Sequence, residues 1–275
     1  MSHFVVLVIG DDIEDQLAPY DENMSVEEYI THDVYIPKEH ADKPVVEQLD
    51  IVQSLYADDG EKYFIDEDQV SRMSRYNSDS KWDWFQIGGR WTGFFKLKPG
   101  AVGVVGEKSW ASETPAEGRV DQLIKGDLDI QGMREEAAVE AGERYDKVRK
   151  IMDAHPKLDS WAFVCNKYPD DIDSARAEYN GQPALVALHN NNLVGWGFDP
   201  EEYDIPRDDY VQDARNQCIL PFAVLDHGVW KERGKMGWFG FSHDEQNRGQ
   251  WAREFNNMFN ALPDDTLLTA VDCHI

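Results

Sequence analysis

Basic residues are scarce: the 275-residue chain holds 27 lysines and arginines against 53 aspartates and glutamates, a formal charge of −26. Neutralising the phosphates of a duplex or of an anionic bilayer needs a basic footprint that such a chain lacks overall, so direct binding to nucleic acid or membrane is not expected. Cysteine is scarcer still. Cys165, Cys218 and Cys273 are odd in number, widely separated and never in a Cys-x-x-Cys arrangement, which argues against a disulfide framework and a cysteine zinc site. Long apolar runs are missing as well. None reaches the roughly eighteen residues of a membrane span, and the apolar segment 4–9 is too short for a signal-peptide core and has no basic flank. A soluble, cytoplasmic protein is therefore expected.

Catalytic signatures are also absent. There is no G-x-S-x-G elbow, no H-E-x-x-H helix, no H-x-E with P-C-x-x-C, no Walker A loop and no G-x-G-x-x-G dinucleotide turn. Adjacent carboxylates at Asp11 and Asp12, Asp170 and Asp171, and Asp264 and Asp265 begin or follow turns, where capping is their commoner duty. No catalytic residue is assigned, and neither a metal ion nor a cofactor is expected.

What the chain does have is 41% hydrophobic and 12% aromatic residues, the composition of a folded globule. Residues 3–9 (HFVVLVI) are apolar on both alternating faces, as a central strand requires, and Asp11 or Asp12 is placed to cap a short helix after it. Near the other end, Trp251, Phe255, Met258, Phe259 and Leu262 share one helical stripe, and TLLTAVDCHI reads as a second buried strand. PFAVLDHGVW and GWFGF flank ERGKMG, which reads as a hairpin turning at Gly234 and Gly237.

These elements predict an α+β fold: a single elaborated domain with a mixed or antiparallel sheet, its core formed by the two terminal strands in a ferredoxin-like arrangement. Residues 45–56 read as an amphipathic helix and residues 81–98 as a hairpin or pair of strands around Gly88 and Gly89. Residues 117–154 read as a helical insertion, 161–166 and 184–189 as two further strands, and 199–213 as a surface excursion.

The sharpest chemical signal is residues 70–98, which hold six basic residues against two acidic ones in an otherwise acidic chain. Gly88 and Gly89 permit close backbone approach, Arg90 can fork onto a phosphate or carboxylate, and Trp82, Trp84 and Trp91 can supply a stacking wall. Lys96 adds charge, and Trp238 joins from a second ring-and-cation patch spanning Asp226, His227, Trp230, Lys231, Arg233, Lys235, Phe239 and His243. The expected ligand is small, anionic and nucleotide-like. The same residues also suit a hairpin turn, a core face and surface ion pairs, so both alternatives stand. A third group, His3, Asp272 and His274, meets only if the terminal strands pair, and a carboxylate there can orient an imidazole for metal binding or general base work.

MSHFVVLVIGDDIEDQLAPYDEN at the start, KWDWFQIGGRWTGFFKLKPG in the middle and LPDDTLLTAVDCHI at the end resemble a family of bacteriophage and prophage proteins. The resemblance touches about a quarter of the chain. It implies a phage accessory protein in the bacterial host's cytoplasm, dispensable for particle assembly, of a kind that often counters host defence. It carries no site residues. The leading expectation is a non-enzymatic protein that sequesters a host signal. The alternatives are a nucleotide or phosphate-ester hydrolase, and an acidic DNA mimic that blocks a host DNA-binding protein.

Overall fold

The computed structural model describes residues 2–56, 61–195, 198–237 and 241–275. β1 (His3–Ile9), buried along nearly its whole length, is ended by Gly10 at φ 94 and followed by α1 (Ile13–Leu17). Asp12 stands at the start of α1, but its φ of 56 is left-handed and its side chain makes no capping bond, so the expected cap is not formed. β2 (Tyr29–Thr31), α2 (Val45–Leu55), β3 (Tyr63–Asp66) and β4 (Gln69–Ser74) build a small unit, three strands in the order β2-β4-β3 with α2 laid against β3 and β4.

β5 (Trp84–Gly89) belongs to the main sheet, and β6 (Phe95–Lys96), β7 (Glu107–Lys108), β8 (Arg119–Val120) and β9 (Gln122–Ile124) follow it. β5 and β6 are two strands, as expected, but they do not pair with each other: the chain leaves the sheet at the two glycines, β6 pairs with β8, and β7 runs parallel beside β5. α3 (Ile130–Asp153) starts where Asp129 accepts the Gly132 N–H at 2.9 Å. The helical stretch expected from residue 117 is therefore shorter, because β9 is drawn onto the last strand of the main sheet and that pairing outweighs local helix propensity.

α4 (Trp161–Lys167), α5 (Ile172–Asn180), α6 (Pro183–Asn190) and α7 (Arg207–Gln217) come next. The two segments expected as strands here are helices. A six-residue apolar run does not reveal its period, and the deciding signals are Ser160, which caps α4 by accepting the Phe163 N–H, and Pro183 in the first turn of α6. Residues 199–213 are more than a surface excursion, since Tyr203 is buried against Val148 of α3 and Leu185 and Leu188 of α6.

β10 (Ala223–Asp226) and β11 (Val229–Glu232) form a hairpin, β12 (Lys235–Met236) and β13 (Ser242–His243) a small ribbon, and α8 (Arg248–Ala261) leads into β14 (Leu267–His274). The main hairpin turns at His227 and Gly228, one element earlier than expected; both have positive φ, as a two-residue type I′ loop demands.

The main sheet runs β11-β10-β1-β14-β5-β7, with β9 also on β14. β1 and β14 pair antiparallel from His3 opposite His274 to Ile9 opposite Leu268, as the terminal strands were expected to do. On its other side β1 pairs with β10 in parallel, which departs from the all-antiparallel ferredoxin-like sheet and makes this one mixed. The sheet is covered on both faces. Val5, Leu7, Ile9, Leu268 and Ala270 pack under Trp251, Phe255 and Phe259 of α8. Phe4, Val6, Val8, Val271 and Cys273 pack on the other side with Leu17, Trp82 and Phe222. No helix among the described residues is long and apolar enough to cross a membrane.

Phe255 is 2% exposed and sits in the middle of the α8 contact. Phe255→Ala should cost about 3–5 kcal/mol in urea denaturation; a loss below about 1 kcal/mol would mean that α8 does not seal this face.

Candidate functional site

Side chains alternate across a strand, so the face of β1 and β14 that packs under α8 continues at one end into His3, Asp272 and His274. Trp84 and Gln86 of β5 lie opposite His274 and Asp272 and so share that face. Asp272 has no exposed surface. Its Oδ1 meets His3 Nδ1 at 2.8 Å and its Oδ2 accepts the backbone N–H of Arg90 at 2.9 Å. His274 Nδ1 lies 2.5 Å from Asp83 Oδ1, and the two imidazole centroids are 4.9 Å apart with the Trp84 ring edge-on to His3.

The glycine turn is a consequence of two buried carboxylates. Asp121, also without exposed surface, accepts the Gly93 and Phe94 N–H groups on Oδ1 and the Gly106 N–H and Thr92 hydroxyl on Oδ2. Gly88 (φ 82) and Gly89 (φ 55) lie so near that a Cβ on Gly88 would stand 2.7 Å from Asp121 Oδ2, and one on Gly89 2.4 Å from Asp272 Oδ2. Here the glycines are demanded twice, by left-handed backbone and by close approach.

The expected stacking wall does not assemble as one surface. Trp82, 6% exposed, is in the core on the other face, donating Nε1–H to the Leu17 carbonyl. Trp91, half-buried, packs against the α8-side core, and Trp84, 43% exposed, is the most open of the three rings. Lys96 is held by Asp129 and Glu136, and the Glu136 hydrogen bond raises its pKa, so its charge is already neutralised. Trp238 and Phe239 lie outside the described residues. The Arg90 turn lies beside β5 and β7, at the other edge of the sheet from β11, but the two patches touch where Trp82 shares a core with Trp230 and Lys81 pairs at 2.8 Å with Glu232 of the second patch. Within it, Arg233 pairs with Glu245 and Lys235 with Asp244.

Arg90 has the freedom that these groups lack. Among the described residues its guanidinium makes no hydrogen bond or ion pair. It lines an open cleft of ≈ 730 Å³ together with Thr92, Trp110, Ser112, Thr114 and Arg119. The loop carrying Trp110 is pinned to the glycine turn, since the Ser109 N–H and the Ser112 hydroxyl both donate to the Gly89 carbonyl. Trp110 is 96% exposed. Arg119 is engaged by Glu136, and Glu113 also borders the cleft.

Sequence reasoning missed Trp110, Ser112, Thr114, Arg119 and Asp121. A signal existed for Trp110, a lone ring in the polar stretch SWASETP with no apolar neighbour to bury it. Nothing distinguished Asp121 from the other acids. The thiols offer no nucleophile at this site: burial pushes Cys218 up and Cys273 well up. Among the described residues no group of three or more histidines, cysteines or carboxylates is placed to hold a metal ion. No protein family, curated protein or solved structure matches this chain.

Asp121→Asn turns one acceptor of this clamp into an amide donor facing N–H groups. It should cost about 1–3 kcal/mol in thermal or urea unfolding, whereas a neutral result would show that the turn holds without the clamp.

Proposed function

We propose that the chain is a non-enzymatic binding protein for a small, anionic, nucleotide-like ligand, taken up in the cleft between the glycine turn and the Trp110 loop. The observation that carries this is the pairing of an unengaged Arg90 guanidinium with an exposed indole in a chain whose formal charge is −26. A free arginine amid such an excess of carboxylates is available to a phosphate or carboxylate, and Trp110 offers a face to a planar ring. The Thr114 hydroxyl, which accepts from Lys108 and keeps its own proton, adds a neutral donor beside it, while those of Thr92 and Ser112 are committed to Asp121 and the Gly89 carbonyl. Removal of a host defence signal, the role implied by the resemblance to phage accessory proteins, belongs to the same proposal.

Tryptophan fluorescence titration with AMP, GMP and their cyclic forms tests it. Arg90→Ala should weaken binding by about 1.5–3 kcal/mol, and Trp110→Ala by about 1–3 kcal/mol together with loss of the quenching signal. Binding that both variants leave unchanged would move the site elsewhere.

A further inference from the structure

Two unengaged charges of opposite sign line the Arg90 cleft. Arg90 is one and Glu113 is the other: among the described residues the Glu113 carboxylate makes no hydrogen bond or ion pair. Cations border the same loop, yet none takes it. Arg119 is held by Glu136, and Lys108 donates to the Thr114 hydroxyl at 3.1 Å. Glu113 is exposed and follows Trp110 by three residues, on the loop that the Ser109 N–H and the Ser112 hydroxyl pin to the Gly89 carbonyl. Guanidinium, indole and carboxylate therefore border one cleft of ≈ 730 Å³ whose two walls are tied together.

A carboxylate at the rim of an anion site costs affinity unless the ligand brings donors to it. Opposite charges that stay apart within one cleft thus suit a ligand with an anion at one end and hydrogen-bond donors at the other. A carboxylate only accepts, and it accepts best from two parallel N–H groups. Of the common bases, guanine sets two donors side by side, N1–H and the N2 amino group. Adenine and cytosine place an acceptor nitrogen beside their amino group, and uracil flanks its N–H with two carbonyls, so each turns an acceptor toward a carboxylate that repels it.

We propose that the cleft selects guanine nucleotides, with the phosphate on Arg90, the purine stacked on Trp110 and its N1–H and N2–H edge on Glu113. This rests on the cleft reading above and names the base.

Calorimetric titration of the full chain with GMP, IMP and AMP tests it, with a readout that does not depend on the Trp110 signal. GMP should bind about tenfold more tightly than AMP, and IMP, which keeps N1–H and lacks the amino group, should fall between them. Glu113→Ala removes an exposed side chain without contacts, so the fold is unaffected, and it should abolish the preference for GMP. Arg90→Ala should weaken GMP and AMP by the same factor, because it faces the phosphate they share. Equal affinities for GMP and AMP in the wild type, or a GMP preference that persists in Glu113→Ala, overturn the guanine assignment; the binding reading survives if both nucleotides still depend on Arg90. A uniform gain for all three in Glu113→Ala overturns it as well, since the carboxylate would then act on the phosphate alone. If no nucleotide binds, or if binding ignores both Arg90→Ala and Trp110→Ala, the cleft reading falls and the guanine assignment falls with it.

Discussion

Asp272 is an ionisable side chain with no exposed surface, and its two oxygens are satisfied from two directions, by the first strand through His3 and by the glycine turn through the Arg90 N–H. Leaving either oxygen unmet would bury an unpaired charge, so the carboxylate fixes β1, β14 and the end of β5 relative to one another. Asp121 repeats the device one layer out, binding the far end of the turn and the Gly106 backbone, while its own carbonyl accepts the Ala270 N–H of β14. Between them the two acids decide where the chain leaves the sheet and where Arg90 is presented.

The two ends of the chain were legible because their patterns have a single solution. HFVVLVI admits no polar face, and the Trp251, Phe255, Phe259 stripe has only the helical period. The antiparallel pairing of first and last strand followed from there, but the parallel seat of β10 did not, since nothing in PFAVLDHGVW states which neighbour it will choose. Short apolar runs misled in the helical layer. WAFVCN and ALVALH carry no period of their own, and their identity lies in Ser160 and Pro183 just outside them. The helix-forming composition of residues 117–129 was overruled by pairing to residues distant in sequence.

At the site, Arg90 and the two glycines were legible from local chemistry, and their surroundings were not. Trp82, Trp84 and Trp91 look alike in the sequence, yet they point into one core, onto the polar end of the other face, and into the opposite core, because Trp82 precedes the strand and bridges Asp21, Trp84 opens β5, and Trp91 follows the bend at the two glycines. The ring that shares the Arg90 cleft comes from a loop about twenty residues downstream, brought there by hydrogen bonds to the Gly89 carbonyl that no sequence pattern announces.

The order of the main sheet has a consequence for how copies of this chain behave when crowded. Its two longest strands, β1 and β14, are interior, while its outer strands in the β11-to-β7 path span four residues and two. A neighbouring chain therefore finds only short rows of unpaired amides on that path, and Lys231 and Glu232 at one edge, Glu107 and Lys108 at the other, put charge on those rows themselves. The most aggregation-prone segments of the sequence, HFVVLVI and LLTAVDCH, are shielded from each other's copies by being each other's partners.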